Sequence, residues 1–518
     1  MEITITIQTQ VKQGSIDMDI ISFFPSWILP TTLLLFFTSI FMYALGRRSS
    51  SFKLPPGPKR LPIIGNLHQV LGKEGVHQTL WNLSKTYGPA LLLHFGAQPF
   101  LVISSSEMAT EVLKTHDEKL CTRPYSKATK LLSFNYMDVA FAPHNDHWRD
   151  MRKVLVSEFL GAKRIRLYKN VMEIEMEALI RSISSHSLNT TVNLEDIILS
   201  LVYDVVGKVA FGNSYRGKTF NGRTLKDIVE EAQVMGGASF SFIFPTFGWI
   251  LDELTGWNRR LQKCYTDFDG FLQMILDDHL YQNDTKTSGH VNDFVDDCMS
   301  RLTTEEMKAL VMNVLEGAVD TSTITMVWAM SELVKNPRVM QKLQNEIRRC
   351  VGRKSKVDES DITKMSYLKM VVKETLRLHP PAAFLMGREC VSQCQIGGYD
   401  VLPGMKVMVT AWGLGRDPRI WKENAAEFYP ERFENIKPDI GGKNFEMIPF
   451  GGGRRACPGN NMATSTVEFT ISNLLYFFNW ETPAGLKKED LDMKENGFPF
   501  LRRTTPLCLV PTKHNWED

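Results

Sequence analysis

The chain has 518 residues, 43% hydrophobic and 23% charged, and its 60 basic against 58 acidic side chains leave a net charge of +2. That is globular composition with length for a large core, and the balanced charge excludes a global electrostatic case for nucleic acid. Eight scattered cysteines are too few for a disulfide framework and point to a reducing compartment.

The first predicted element is a membrane span. Residues 1–19 carry one Lys and three acids, and the 26 residues from Ile20 to Leu45 carry no charge at all. Such a run can cross about 30 Å of hydrocarbon, with Pro25 and Pro30 at its entry and Trp27 and Tyr43 placed for the two interfaces. Arg47, Arg48, Lys53, Lys59 and Arg60 follow it, so the positive-inside rule puts the long C-terminal part on the cytoplasmic side. The length of the run, and the lack of a basic start before it, argue against a cleaved signal peptide. The expected organisation is a short luminal stretch (1–19), an anchor (20–46), a basic, Pro-rich hinge (47–67) and a single large body (68–518). Pro55, Pro56, Pro58 and Pro62 make the hinge stiff and non-helical.

Beyond the hinge the pattern is mostly helical with short β pieces. Aromatic-rich SFSFIFPTFGWI, Ser239 to Ile250, breaks the pattern and reads as a connector touching something apolar. The longest helix is expected from about Thr304 to Asn336, capped by Thr303 or Thr304, with Glu305 and Glu306 in its first turn and Pro337 as its stop. It is apolar nearly all round, hence buried, and at about 1.5 Å per residue it crosses the whole body. A second helix contains Tyr367–His379, stopped by Pro380 and Pro381, and a third runs from about Asn460 to Phe478.

The chemistry concentrates in PFGGGRRACPG, Pro449 to Gly459. Gly and Pro forbid a regular helix or strand there. A free cysteine is usually a small buried hydrophobe. Cys457, however, precedes a helix whose unpaired N–H groups favour a thiolate, and Arg454 and Arg455 add positive charge. A thiolate so held suits axial binding of iron. Cys390 and Cys394 lie close together, but no second Cys or His pair completes a zinc site, and no C-x-x-C-H run offers covalent haem attachment.

This run is similar to the haem-binding signature of the cytochrome P-450 superfamily, F-x-x-G-x-R-x-C-x-G, through Phe450, Gly453, Arg455, Cys457 and Gly459. The rest of the chain agrees in order. HWRDMRK, with Trp148 and Arg152, resembles the family's W-x-x-x-R. GAVDTS, Gly317–Ser322, resembles its oxygen-activation motif, ETLR its E-x-x-R, and FYPERF its P-E-R-F. The anchor and PPGP hinge resemble the plant microsomal type. Three departures stand out: Gly387 occupies a position usually proline, His144-Asn145-Asp146-His147 replaces the usual Tyr-Gly pattern before the Trp, and Ala318 occupies a position usually glycine.

The resemblance implies a single, mainly α haem-thiolate domain with small β-sheets, behind an N-terminal transmembrane helix. That overrides the roughly three domains that length alone suggests. It implies haem b, with Cys457 as axial ligand, and Trp148, Arg152, Arg388 and Arg455 on the propionates; Phe450 and Gly459 belong to the same cofactor-binding loop. Glu374, Arg377 and Arg432 would form a buried structural network. The clustered weak helix formers Gly317, Thr321, Ser322 and Thr323 would open a turn of the long helix, where Thr321 and Asp320 relay protons. His144 and His147 are expected to be loop residues rather than metal ligands. The segments 126–141, 314–321, 382–386 and 498–500 match the family's substrate-recognition regions.

The implied activity is O2-dependent hydroxylation of a hydrophobic plant metabolite, a terpenoid first among the classes, with electrons from NADPH through a flavoprotein reductase at the endoplasmic reticulum membrane. The alternatives are an oxygen-independent haem-thiolate isomerase or dehydratase, which tends to lose the acid–hydroxyl pair, and a non-catalytic haem-binding membrane protein.

Overall fold

Thr303 fixes the start of the element around which the others pack. Its hydroxyl accepts from the Glu306 N–H at 3.3 Å while the Glu306 carboxylate accepts from the Thr303 N–H at 2.9 Å, a reciprocal cap. The structure, a computed structural model, describes residues 30–31, 52–72, 75–185, 190–237, 239–283, 293–422, 424–434, 445–496 and 500–516. Nearly all of the expected anchor lies outside them. Among the described residues no helix is long and apolar enough to cross a membrane. The chain divides into two units, Met1–Phe52 and Lys53–Asp518, and every element that builds the site belongs to the second.

In chain order the helices that build the site are α1 (Lys127–Leu132), α2 (Asp146–Val154), α3 (Leu194–Phe211), α4 (Leu225–Met235), α5 (Trp257–Asn283), α6 (Thr304–Lys335), α7 (Pro337–Val351), α8 (Ser366–Leu378) and α9 (Asn460–Phe477). α6 matches the expected long helix to within a residue. Asn336 and Pro337 end it, and Pro337 then starts α7, where its missing N–H costs nothing. α6 packs against α3, α5, α7, α8 and α9, and most of its side chains are buried. Leu310, Met326, Trp328 and Leu333 are fully buried in the main core, each such side chain contributing about 1.5–3 kcal/mol.

The sheets are small. The largest has four strands, β1 (Ala90–Phe95), β2 (Gln98–Ile103), β3 (Arg388–Glu389) and β4 (Lys406–Val409), in the order β1-β2-β4-β3. β1 and β2 form a hairpin, β4 pairs parallel to β2, and β3 pairs antiparallel to β4. Val192–Asn193, Cys508–Lys513 and Phe478–Glu481 form a second, three-stranded sheet.

Three expectations are corrected. The 239–250 connector is partly helical, with short helices at Phe240–Ile243 and Gly248–Leu254; Ser239 caps the first, and the Asp252 carboxylate accepts the Phe240 and Ser241 N–H groups. His147 lies in the first turn of α2 rather than in a loop, because Asn145 caps that helix one residue before Asp146. The turn at Thr321 is not opened: α6 is α-helical throughout, and the hydroxyl accommodates itself by donating to the Gly317 carbonyl at 2.7 Å.

Candidate active site

The cysteine loop is closed by one backbone bond, in which the Cys457 N–H donates to the Phe450 carbonyl at 2.9 Å. Within it Gly451 and Gly453 sit at φ of +71° and +69°, the left-handed region that a Cβ disfavours. A Cβ on Gly453 would also lie 2.2 Å from the Leu113 carbonyl oxygen. The loop thus presses its backbone against the segment around Leu113 and Asp117, and α9 starts immediately beyond Gly459. Cys457 is exposed by accessible area, yet protein atoms crowd round it; the two agree for a thiol lining an internal cleft.

The electrostatics of the thiol differ from the sequence expectation. Burial pushes its pKa up, and this outweighs the Gly459 N–H and the positive charge of Arg152, which favour the thiolate. Arg454 points elsewhere, to Asp117 at 3.1 Å. The cation facing the thiol is Arg152, whose Nη2 donates to the Ala456 carbonyl at 2.7 Å. The polypeptide alone therefore favours the neutral thiol, and a metal cation is what deprotonates such a group outright.

The expected propionate-binding residues are brought together. Arg455 donates to the carbonyls of Cys121, Val139 and Ala142. Its guanidinium lies over the Trp148 ring, 4.2 Å from the centroid, and that of Arg152 lies 5.6 Å from it. Trp148 directs its indole N–H to the Val139 carbonyl at 2.9 Å, so its ring orients the two arginines. Arg388, on β3, pairs with Asp117 at 2.6 Å and donates to the Gly452 carbonyl.

Arg123, which sequence reasoning missed, joins them. It donates to the Met386 carbonyl at 2.7 Å and to the Gly387 carbonyl at 3.1 Å, holding the segment where the usual proline is absent. Burial and the neighbouring Arg455 and Arg388 hold Arg123 well below the usual guanidinium pKa, and burial brings Arg455 down to about 10. Arg388 pairs with Asp117, which Arg454 also holds; Arg123 and Arg455 feel the charge of Asp138, and Arg152 has no carboxylate partner among the described residues. A dianionic group is the complement such a cluster lacks, and the haem propionates fit it.

On α6 the buried run is interrupted by one stripe. Asn313, Glu316, Ala318 and Thr321 are half-buried and Gly317 is exposed, with no atom within 4 Å of where its Cβ would stand. Exposure midway along the central helix marks the wall of an internal space. Asp320 is buried beside this stripe. Its carboxylate accepts from Arg502 at 2.8 Å and from the Gln233 side-chain amide on α4.

Glu374 on α8 accepts from Arg377 at 2.7 and 2.8 Å and from Arg432 at 2.9 and 3.0 Å, all three side chains being buried. The remaining guanidinium N–H groups of Arg377 reach the carbonyls of Gly415, Ala425 and Glu427, pinning the chain that leads to the loop. Phe498 and Pro499 of the last expected substrate segment lie outside the described residues; Phe500 bridges to Ala382 of another.

The family is shown by comparison. The Cytochrome P450 family model matches residues 55–509, and the chain belongs to that family. It is 55% identical to parthenolide synthase of Tanacetum parthenium, over 96% of this chain and 100% of that protein. It is 47% identical to eupatolide synthase of Helianthus annuus, again over 96% of this chain and 100% of that one. A solved zebra fish cytochrome P450 with abiraterone has the same mainly helical fold, with a TM-score of 0.69 at 21% identity, covering 85% of this chain and 100% of that one. The protein is accordingly a haem b-dependent monooxygenase that takes electrons originating from NADPH through a redox-partner reductase and acts on small hydrophobic molecules.

Proposed function

We propose that Cys457 Sγ would bind the haem iron, that Arg152, Arg388 and Arg455, with Trp148 beside Arg152 and Arg455, would hold the haem propionates, and that Phe450 and Gly459 shape the loop that carries the thiol. The observation that carries this is the accessible thiol inside the molecule, on a glycine-rich loop ringed by buried guanidiniums. Bound there, haem b supplies the iron centre at which O2 is reduced and split. The polypeptide positions and protonates.

Asp320 and Thr321 form the proton route. Thr321 Oγ1 donates to the Gly317 carbonyl at rest, and its lone pairs remain free to accept. The Asp320 carboxylate is held by Gln233 and Arg502; Arg502 is partly exposed and also pairs with Glu230, so the route reaches solvent through this ion pair. Release of one Arg502 bond frees a carboxylate oxygen to carry a proton toward Thr321 Oγ1.

The substrate class is a terpenoid specialised metabolite. The names of the two relatives, parthenolide synthase and eupatolide synthase, support it at 55% and 47% identity, as does the apolar character of the segments around Leu132, Val314 and Phe384. Residues 20–46 anchor the chain in the endoplasmic reticulum membrane, with the body cytoplasmic. The turn between β1 and β2 supports a bilayer-facing side: Gly96 donates to Ile64 of the hinge and Ala97 to Ile243 of the connector. Exposed Leu61, Ile63, Phe247, Trp249 and Ile250 therefore come from segments tied to one hairpin.

Titration of the haem-loaded protein with a terpenoid panel, following the Soret band, tests the reading. A high-spin shift identifies the ligand class. Absence of a thiolate-type spectrum in the wild type would overturn the Cys457 assignment.

A further inference from the structure

Asn313, Glu316 and Asp320 are spaced by three and four residues, so they share one face of α6, the first two on its accessible stripe and Asp320 buried beside it. The two outer members are engaged. Asn313 accepts from the Val139 N–H at 2.7 Å and donates to Asp138 at 3.1 Å; Asp320 is held by Arg502 and Gln233. Glu316 alone among the three has neither a hydrogen bond nor an ion pair with the described residues. Its oxygens are not sealed off, since the buried side-chain atoms left without a partner among the described residues are His147 Nε2 and Arg348 Nε. Its neighbour Gly317 faces open space.

The surroundings are apolar and acidic. Ala128 and Leu132 of α1, Ala232 and Met235 of α4, and Leu261 and Cys264 of α5 form one hydrophobic cluster, and the Cys264 thiol feels the Glu316 charge. The titratable groups that face Glu316 are Asp138 from the loop before α2, Asp320 on α6 itself, and Cys264 on α5. Burial first, and then the charges of Asp138 and Asp320, push the Glu316 pKa up to about 8. A carboxyl kept neutral near pH 7 is a hydrogen-bond donor, and a carboxyl left unpaired at the wall of a substrate cleft is costly unless a ligand meets it.

We propose that Glu316 donates a hydrogen bond from its neutral carboxyl to an acceptor oxygen of the substrate, a carbonyl, ester or hydroxyl on an otherwise apolar molecule, and so fixes which carbon is presented for oxidation. The proposal rests on the reading of this cleft as the substrate site. It makes Glu316 a specificity-determining residue. The ligand class it selects is a mono-oxygenated terpenoid rather than the parent hydrocarbon.

Valencene and nootkatone share a carbon skeleton and differ by one ketone. Their Soret-shift dissociation constants are to be measured with wild type, Glu316→Gln and Glu316→Leu between pH 6 and 9. The wild type is expected to prefer nootkatone and to lose that preference as pH rises through the range in which Glu316 ionises. Glu316→Gln keeps a donor and should hold the preference without pH dependence. Glu316→Leu should weaken nootkatone roughly three- to tenfold and leave valencene unchanged. Equal weakening of both ligands by Glu316→Leu, or a ketone preference that survives it, overturns the proposal. So does a wild-type preference for a quaternary ammonium analogue at pH 6, where the proposal requires a neutral carboxyl and such a preference would mark an ionised one reading a cation. An infrared difference between wild type and Glu316→Gln at pH 7 is the independent check: it should contain a protonated-carboxyl band that moves when nootkatone binds, and its absence counts against the idea. A thiolate-type spectrum in all three proteins shows that the haem site itself stands, so failure of the two readings is distinguishable.

Discussion

Cys457 owes its setting to its neighbours more than to its own chemistry. The loop lifts the thiol into an internal cleft, and burial holds it protonated in the polypeptide alone. Cys457→Ser should therefore abolish the thiolate-type Soret band while leaving the thermal unfolding of the body close to wild type; a retained thiolate spectrum would exclude this ligand. Gly453→Ala is expected to be worse for folding. It forces a Cβ against the Leu113 carbonyl at a φ of +69°, a strain of about 1–3 kcal/mol, and should appear as a lower melting temperature and weaker haem retention. At Thr321 the effect is catalytic instead. Thr321→Ala should leave substrate-induced spectral shifts intact but divert NADPH and O2 consumption away from product, and unchanged coupling would remove Thr321 from the proton route.

At the scale of elements, α8 and the Pro430–Glu434 turn are joined by buried charge. Removing one partner of a buried pair leaves the other uncompensated, so Arg377→Met should cost about 3–5 kcal/mol of stability, measured by denaturant unfolding. Glu374→Gln in the same background should add much less than its own cost, because the two share one network. The β1 hairpin gives a pH prediction. His94 is held down to about 4 by burial and by Arg60, so the folded state resists protonation that the unfolded chain accepts below about 6.5. The stability it contributes is present above 6.5 and is lost as pH falls toward 4. His94→Gln should flatten the melting-temperature profile across that window, and an unaltered slope would place the acid sensitivity elsewhere.

For the whole molecule, the elements that build the site belong to one unit, Lys53–Asp518, and gather round α6. A protein lacking residues 1–52 should still fold and bind haem, with the wild-type Soret spectrum, while its membrane association in fractionation falls to a weak residual fraction. Residual sedimentation with vesicles, abolished by charge substitutions at Trp249 and Ile250, is expected from the exposed apolar residues tied to the β1–β2 hairpin.

Much of this was written in local sequence. The helix from Thr304, the stop at Pro337, the helix at Tyr367 and the glycine loop ahead of α9 each depend on contacts within a few residues, which capping, proline and apolar periodicity report directly. Cys457, Glu374, Arg377 and Arg432 could be singled out because their motifs are short and contiguous. Only the tertiary structure decided the rest. Arg123 reaches Gly387 and Arg502 reaches Asp320 across 264 and 182 residues, pairings for which nothing local leaves a signal. The protonation of Cys457 and Glu316 followed likewise from desolvation, a property of everything packed around a group and of no residue within it.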